Sequence, residues 1–518
     1  MLRLPPYRGK AYIGFKAPFR GRRRTEYLVK PVIATTTTTA TGTVAANAPL
    51  APAARWALAS LSLAMLLSSL GTSIANVGLP TLAQAFNASF QQVQWVVLAY
   101  LLAITTLIVS VGRLGDLIGR RRLLLSGIAM FTLASVLCAL APALWLLIAA
   151  RAVQGLGAAV MMALTMAFVG ETVPKAKTGS AMGLLGTMSA VGTALGPTLG
   201  GALIAGFGWP AIFLVNVPLG ILGFVLAHRY LPSDSGGTKA ADAGFDKPGT
   251  LLLALTLAAY ALAMTMGRGS FGVLNIALLL GAAVGAGLFI VAEGRAASPL
   301  VRLVLFRNPL LSAGFAMSAL VMTVLMATLV VGPFYLTGAL GLDALHVGLV
   351  MSSGPIVAAL TGVPAGRLAD RYGAQRISVA GLIGMVAGAV ALTLLPTSAG
   401  IAGYVVPLVL VTGSYALFQT ANNTAVMKDI AAEQRGVISG LLNLSRNLGL
   451  ITGASAMGAV FAFASASAAH SMAQPEAVAA GMRVTFAVAA VLIGIALAIA
   501  LGSHALASSS ERRERAAL

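Results

Sequence analysis

Fourteen apolar runs follow one another after residue 54, each of roughly 17 to 28 residues, the length a helix needs to cross a hydrocarbon core about 30 Å thick. They begin near Ala57, Val93, Leu123, Leu144, Gly179, Ala211, Thr250, Leu274, Pro309, Val347, Ser378, Ala402, Val437 and Arg483. In lipid each backbone N–H and C=O must find its partner within the segment or in a closed barrel, and these runs are too long for barrel strands. The predicted fold class is therefore an all-α membrane protein of fourteen transmembrane helices. A chain that is 58% hydrophobic and 9% charged cannot bury its apolar surface in soluble domains, which carry about 25% charged residues.

The run Gly112 to Arg122, GRLGDLIGRRR, returns as GRLADRYGAQR from Gly366 to Arg376. Each copy follows two apolar runs, so one unit occurs twice, and such internal repeats place a substrate site between two related halves near the membrane midplane. The expected organisation is a leader at 1–54, a six-helix half at 55–232, a linker with two extra helices at 233–308, a second six-helix half at 309–503 and a tail at 504–518. The leader is basic at Arg20, Arg22, Arg23 and Arg24 and then Thr-rich from Thr35 to Thr39. It lacks a compact apolar core after its basic part, which argues against a cleaved secretory signal and for a disordered cytoplasmic segment. A transit peptide or an upstream start codon are the alternatives.

Charge sets the orientation. With the amino terminus in the cytoplasm, internal loops collect Arg113, Arg120, Arg121, Arg122, Lys175, Lys177, Arg229, Arg295, Arg307, Arg367, Arg371, Arg376 and Arg435 among others, and external connections keep Arg268 and Arg483. This is the positive-inside pattern, and it puts both termini in the cytoplasm of a cell inner (plasma) membrane. The net charge of +20 is spread over many short loops, so nucleic acid is not an expected partner. The one cysteine, Cys138, excludes an internal disulfide and a thiolate metal site.

Several stretches carry chemistry. In the loop motif, Gly112 and Gly115 are expected to allow close helix approach, and Asp116 can pair with arginines and a helix amino terminus in one conformational state and not in another. With Arg113, Gly119 and Arg120, and with Gly366, Asp370, Arg371 and Gly373 of the second copy, these form the candidate gating set. Arg151 stands eight residues into the fourth run, in RAVQGLGAA, at a cost of at least about 2.5 kcal/mol, and such residues normally face a cavity or a partner. Gly192, Gly196 and Gly200 in GTALGPTLGG recur on one helix face, Pro197 bends that helix, and Gly201 follows.

The layout and these motifs resemble the major facilitator superfamily, and specifically its fourteen-span drug:proton antiporter family, over nearly everything from Ala57 to Ser503. The loop looks like the superfamily signature between its second and third helices. Arg151, Gln154, Gly155 and Gly157 look like the family's second motif, and Gly192 to Gly201 like the motif that marks exporters. Trp209, Phe213, Asn216, Pro218 and Gly220 also fit, with Pro210 where an arginine is usual. Asn76, Leu79 and Pro80 match the end of the first span, but Gly71 stands where the family generally has a membrane-embedded, proton-coupling aspartate.

No substitute acid lies near a span centre. Asp116, Glu171, Asp246, Glu293, Asp370, Asp429 and Glu433 fall at cytoplasmic ends or loops, and Asp343 and Glu476 outside; His228, His346, His470 and His504 lie at ends. The embedded charges are cationic, Arg151 and Arg446. A low-dielectric cavity with positive side chains favours neutral or anionic cargo, whereas the resemblance implies cationic drugs. Gln419, Asn422 and Asn423 share a helix face in SYALFQTANNTAV, and Asn443, Arg446 and Asn447 lie on the next span. Each set either lines a wet passage or bonds to neighbouring helices. The candidate substrate and coupling residues are Arg151, Gln154, Asn76, Gln419, Asn422, Asn423 and Arg446.

Phosphate loops, paired carboxylates, metal-ligand clusters and a credible Ser/His/Asp set are absent from the sequence. The expectation is a transporter and no enzyme, without cofactor or metal, exporting drugs or other small organic molecules by alternating access and monomeric within the lipid bilayer; proton antiport is what the resemblance implies, and Gly71 in place of the usual acid speaks against it. A facilitator or importer of a neutral or anionic metabolite, and a membrane receptor or scaffold without transport, are the competing readings.

Overall fold

The computed structural model describes residues 52–517 apart from 109, 174–177, 234–245, 267–271, 297–298, 300–302, 395, 428–434 and 470–471. The leader expected at 1–54 thus lies outside the described residues but for its last three positions. So do Lys175, Lys177, Arg268, Asp429, Glu433 and His470, and the side chains of Arg113, Asp116, Glu171, Arg435 and His504.

Among the described residues every regular element is helical, and fourteen stretches are long and apolar enough to cross a membrane. The first half comprises α1 (Pro52–Val77), α2 (Leu79–Ala85), α3 (Phe90–Ile108), α4 (Val111–Ile118), α5 (Arg120–Ala139), α6 (Leu144–Thr172), α7 (Thr178–Phe207), α8 (Ala211–Leu214) and α9 (Asn216–Tyr230). The inserted pair is α10 (Lys247–Thr265) and α11 (Val273–Arg295). The second half comprises α12 (Pro309–Gly338), α13 (Ala344–Tyr372), α14 (Ala374–Thr393), α15 (Gly400–Met427), α16 (Arg435–Thr452), a π-helical turn at Gly453–Met457, α17 (Gly458–Ala468) and α18 (Gln474–Ala517).

Local chemistry starts these helices where apolar runs begin. Asn308 accepts from the backbone N–H of Leu310 at 3.0 Å and Leu311 at 3.3 Å, with Pro309 at the first helical position of α12. Asp246 caps α10 through the Gly249 N–H at 2.8 Å, and Asp343 caps α13 through the His346 N–H at 2.9 Å. The repeated loop has the same backbone device in both copies. Gly119, between α4 and α5, has φ 101°, and Gly373, between α13 and α14, has φ 90°. A side chain at either would be strained, which is why a glycine closes the motif twice.

The two halves are packed alike. In the first, α1 lies against α7 and α9, α6 against α3 and α5, and α5 against α9. In the second, α12 lies against α16 and α18, α15 against α13 and α14, and α14 against α18. These are the same neighbour relations shifted by one repeat, so the duplicated loop reports a duplicated bundle. The halves meet where α7 lies along α13 and α3 along α16 and α17. The inserted helix α10 sits beside the second of these seams, touching α3, the π turn and α17, with the Trp95 indole N–H donating to Thr265 Oγ1 at 3.0 Å. Helix α11 packs on α10 and presents Val273, Leu280, Val284 and Leu288 outward, as lipid contact requires.

Candidate substrate cavity and the seal beside it

A cavity of about 340 Å³ lies between the halves. The first half contributes α1, α6 and α7, and the second α12, α13, α15 and α16. The two walls differ. On the first half, Ser69, Thr72, Ser73, Ser189 and Thr193 present hydroxyls. Most of these donate their proton into a helix: Thr72 to Ser68 O at 3.1 Å, Thr193 to Ser189 O at 3.1 Å, and Ser73 to Gly192 O at 3.2 Å. Ser69 and Ser189 bond to each other at 2.6 Å. A hydroxyl so committed offers the cavity lone pairs. The second half supplies a mainly apolar surface of Met322, Leu325, Leu329, Met351, Leu408 and Leu450, with the hydroxyls of Thr328 and Thr412 bonded into their own helices, and a polar group of Tyr415, Gln419, Asn443, Arg446 and Asn447.

Among the described residues of this wall Arg446 is the charged one. It lies eleven residues into α16, about 16 Å from the helix start at 1.5 Å per residue. Its guanidinium donates to Asn423 Oδ1. The Gln419 amide, oriented by this network with its oxygen towards the arginine, accepts from Nε at 2.7 Å, from Nη1 at 3.2 Å and from Nη2. Both partners are neutral, and none of the described residues lining the cavity is Asp or Glu. Gln419, Asn423 and Arg446 are thus brought together at one end of the cavity. Asn422, on the same helix, turns away and donates to Gly314 O at 3.1 Å and Ser318 Oγ at 2.9 Å, fastening α15 to α12.

Arg151 is placed elsewhere. It is 0% exposed and lies inside the first half, donating to Val96 O at 2.9 Å, Gly71 O at 3.0 Å and Gln154 Oε1 at 2.5 Å. Its guanidinium carbon stands 4.1 Å above the Tyr100 ring, and Gln154 passes the network on to Ser135 Oγ at 2.7 Å. These contacts bind α6 to α1, α3 and α5, and the cavity wall does not include Arg151 or Gln154. An arginine in lipid needs acceptors, and three oxygens with an aromatic face meet that need without an opening to water. A Cβ at Gly71 would meet Tyr100 Oη at 3.0 Å and Phe131 Cζ at 3.2 Å, so this position points into the same packed network. Asn76 bonds Thr72 O at 3.0 Å within α1 and is 1% exposed.

The seal lies at the end away from the basic loops. Gly201 of α7 faces Gly348 of α13 so closely that a Cβ on either would fall 3.1 Å from the other's Cα, and Thr198 bonds Ser352 across the same seam. Gly192, Gly196 and Gly200 use the adjacent face of α7 against α1, where a Cβ at Gly196 would fall 2.9 Å from the Ile74 nitrogen. On the other seam Phe90 of α3 stacks edge-on to Phe334 at 4.5 Å and against Phe461 at 5.2 Å. Beneath them Gln94, 1% exposed, donates to Ala454 O in the π turn at 2.9 Å.

In the gating loops Gly115 does admit close packing, since a Cβ there would lie 3.2 Å from Leu164, whereas nothing stands within 4 Å at Gly112. Arg367, Asp370 and Arg371 are exposed, and Gly366 has only Thr420 nearby at 3.9 Å. Sequence reasoning missed the hydroxyl wall and Gln94. Ser69, Thr72 and Ser73 share a helix face, as do Ser189 and Thr193, and that spacing was the available signal.

Two repeated six-helix bundles around a shared cavity define a polytopic membrane transporter of the facilitator type. The sequence profile described as Major Facilitator Superfamily matches residues 61–454. The chain belongs to that superfamily, and its relatives place it with the drug-efflux family. It is 33% identical over 400 residues to an uncharacterized transporter, YebQ, of Escherichia coli, spanning 77% of this chain and 87% of that one. It is 30% identical to the riboflavin transporter RibZ of Clostridioides difficile, over 78% and 87% of the two chains. It is 33% identical to the multidrug resistance protein Stp of Mycobacterium tuberculosis, over 78% and 75%. Among solved structures, a bacterial homologue of the human lysosomal transporter Spinster, inward-facing and occupied, superimposes with a TM-score of 0.65 at 15% identity, covering 88% of this chain and 97% of that one, a likeness of fold.

Proposed function

We propose that the protein is a secondary transporter that exports small organic molecules from a bacterial-type inner membrane by alternating access. The observation that carries this is a cavity built from both halves and bounded by a seam that only glycine-sized residues allow. Rocking the halves about the cavity would break the Gly201–Gly348 and Gln94–Ala454 contacts and form others at the basic ends. Relatives named multidrug resistance proteins support the outward direction.

The test is efflux from cells preloaded with fluorescein or ethidium, dyes of opposite charge, with and without the protein. Faster loss of at least one dye, dependent on the protein and on an energised membrane, is the expected result. Equal loss with and without the protein for every dye in a panel spanning both charges would refute export. A facilitator moving cargo down its own gradient is the second reading, favoured by a cavity wall with no Asp or Glu among its described residues. Liposomes loaded with pyranine separate the two, because an antiporter moves protons when substrate is added and a facilitator does not.

A further inference from the structure

Resting on the transporter reading, we infer that the cargo is an amphipathic organic monoanion carrying a carboxylate or sulfonate at one end and an N–H or O–H donor at the other. The argument begins with an unbalanced charge. Arg446 holds a permanent positive charge in a cavity with no Asp or Glu among the described residues of its lining, and its contacts there, Gln419 and Asn423, are neutral amide oxygens. Those two oxygens touch all three guanidinium nitrogens but cannot saturate their five N–H donors, and the planar fork matches the geometry of a carboxylate or sulfonate. Burying a charge without a counter-charge is costly, so a cargo that brings the counter-charge binds with the cost already met by the protein. One arginine balances one negative charge. A cation would meet repulsion with no compensating group.

The rest of the cavity describes the rest of the molecule. The same half also lines the cavity with Met322, Leu325, Leu329 and Leu450, which suits an aromatic or aliphatic body, and Met side chains adapt to its outline. On the first half Ser73 is buried between α1 and α7, while Thr72 and Thr193, half-buried, have turned their protons into their own bundle and offer lone pairs. Those accept hydrogen bonds, so the far end of the cargo donates. The two halves thereby hold opposite ends of one molecule, which is how a cargo couples their motion.

Isothermal titration of the purified full chain in nanodiscs tests this with three probes on one skeleton: indole-3-propionate, its primary amide, and 3-(3-aminopropyl)indole. The acid is expected to bind at least about tenfold tighter than the amide, with the amine weakest, as a charge-assisted bidentate contact implies. Arg446→Gln should abolish the difference between acid and amide, Arg446→Lys should keep part of it, and methylating the indole nitrogen should weaken the acid severalfold. Tightest binding by the amine, or acid preference surviving in Arg446→Gln, overturns the inference. If the indole series does not bind, a thermal-shift library of matched aromatic acids, amides and amines decides on the wild-type protein: anything but enrichment of acids among the stabilisers overturns it. Acid binding without protein-dependent uptake into liposomes would sink the transporter reading and leave this assignment. Uptake of amines in preference to acids would do the reverse.

Discussion

Gly348→Val should push the halves apart at the end away from the basic loops. A Cβ at Gly348 lies 3.1 Å from Gly201 Cα and 3.3 Å from its nitrogen, and nearer still to the Pro197 carbonyl oxygen, so the added atoms meet backbone, which cannot swing aside as a side chain can. Overpacking of this kind costs about 1 to 3 kcal/mol. Because the seam exists only while this end is closed, the cost falls on that state alone. A closed state favoured ten to one would drop to about two to one at the lower figure and become the minor state at the upper. The assay is pulsed electron paramagnetic resonance between spin labels at Ala85 and Leu345, exposed sites on the two halves at that end; the native Cys138 is buried and does not compete for label. The expected result is a longer distance population in Gly348→Val and none in Gly186→Val, a glycine of α7 with nothing within 4 Å. Unchanged distances in Gly348→Val would refute the seam as a state-specific contact.

Arg151→Ala should behave as a stability variant. It strips partners from Val96 O, Gly71 O and Gln154 in a dry interior, a loss of at least about 2 kcal/mol that thermal unfolding in detergent would register; a variant that melts like wild type yet fails to transport would return Arg151 to the site. Asp343 provides a pH test at the exposed start of α13. The backbone and side-chain hydrogen bonds from His346 hold its carboxyl below the ordinary carboxylate range. A carboxylate whose folded pKa is depressed stabilises the cap above its unfolded pKa and loses that contribution as pH falls through the lower folded value. Hydrogen exchange in the first turn of α13 should therefore quicken, relative to the intrinsic rate, only as pH falls below about 4, and Asp343→Asn should remove the step; a step that persists in Asp343→Asn would contradict this.

Much of the scaffold was readable because lipid leaves a chain few choices. Runs long enough to span, separated by loops rich in arginine, give the helices, and one loop written twice gives the two bundles. Even the caps at Asn308, Asp246 and Asp343 stand at run boundaries, since a capping bond spans only two or three residues. The site was only half readable. Arg151 and Arg446 look alike in sequence, each a lone arginine in an apolar run with amides near it, yet one is walled in by α1, α3 and α5 and the other edges the cavity. Asn422 and Gln419 lie three residues apart and part company in the same way, one bonding α12 and the other meeting Arg446.

The sequence alone determined the solvent, the number of spans, the duplication and the glycine closing each copy of the loop, because these depend on length, composition and local backbone geometry. Only the tertiary structure decided which polar side chains face the cavity, which glycines of α7 meet α1 and which meet α13, and where the inserted pair docks. In water an apolar stripe tells a helix which side is inward. In a bilayer lipid and protein interior are equally apolar, so a helix carries no such stripe, and the direction of each polar group is set by the neighbours that happen to offer it a partner.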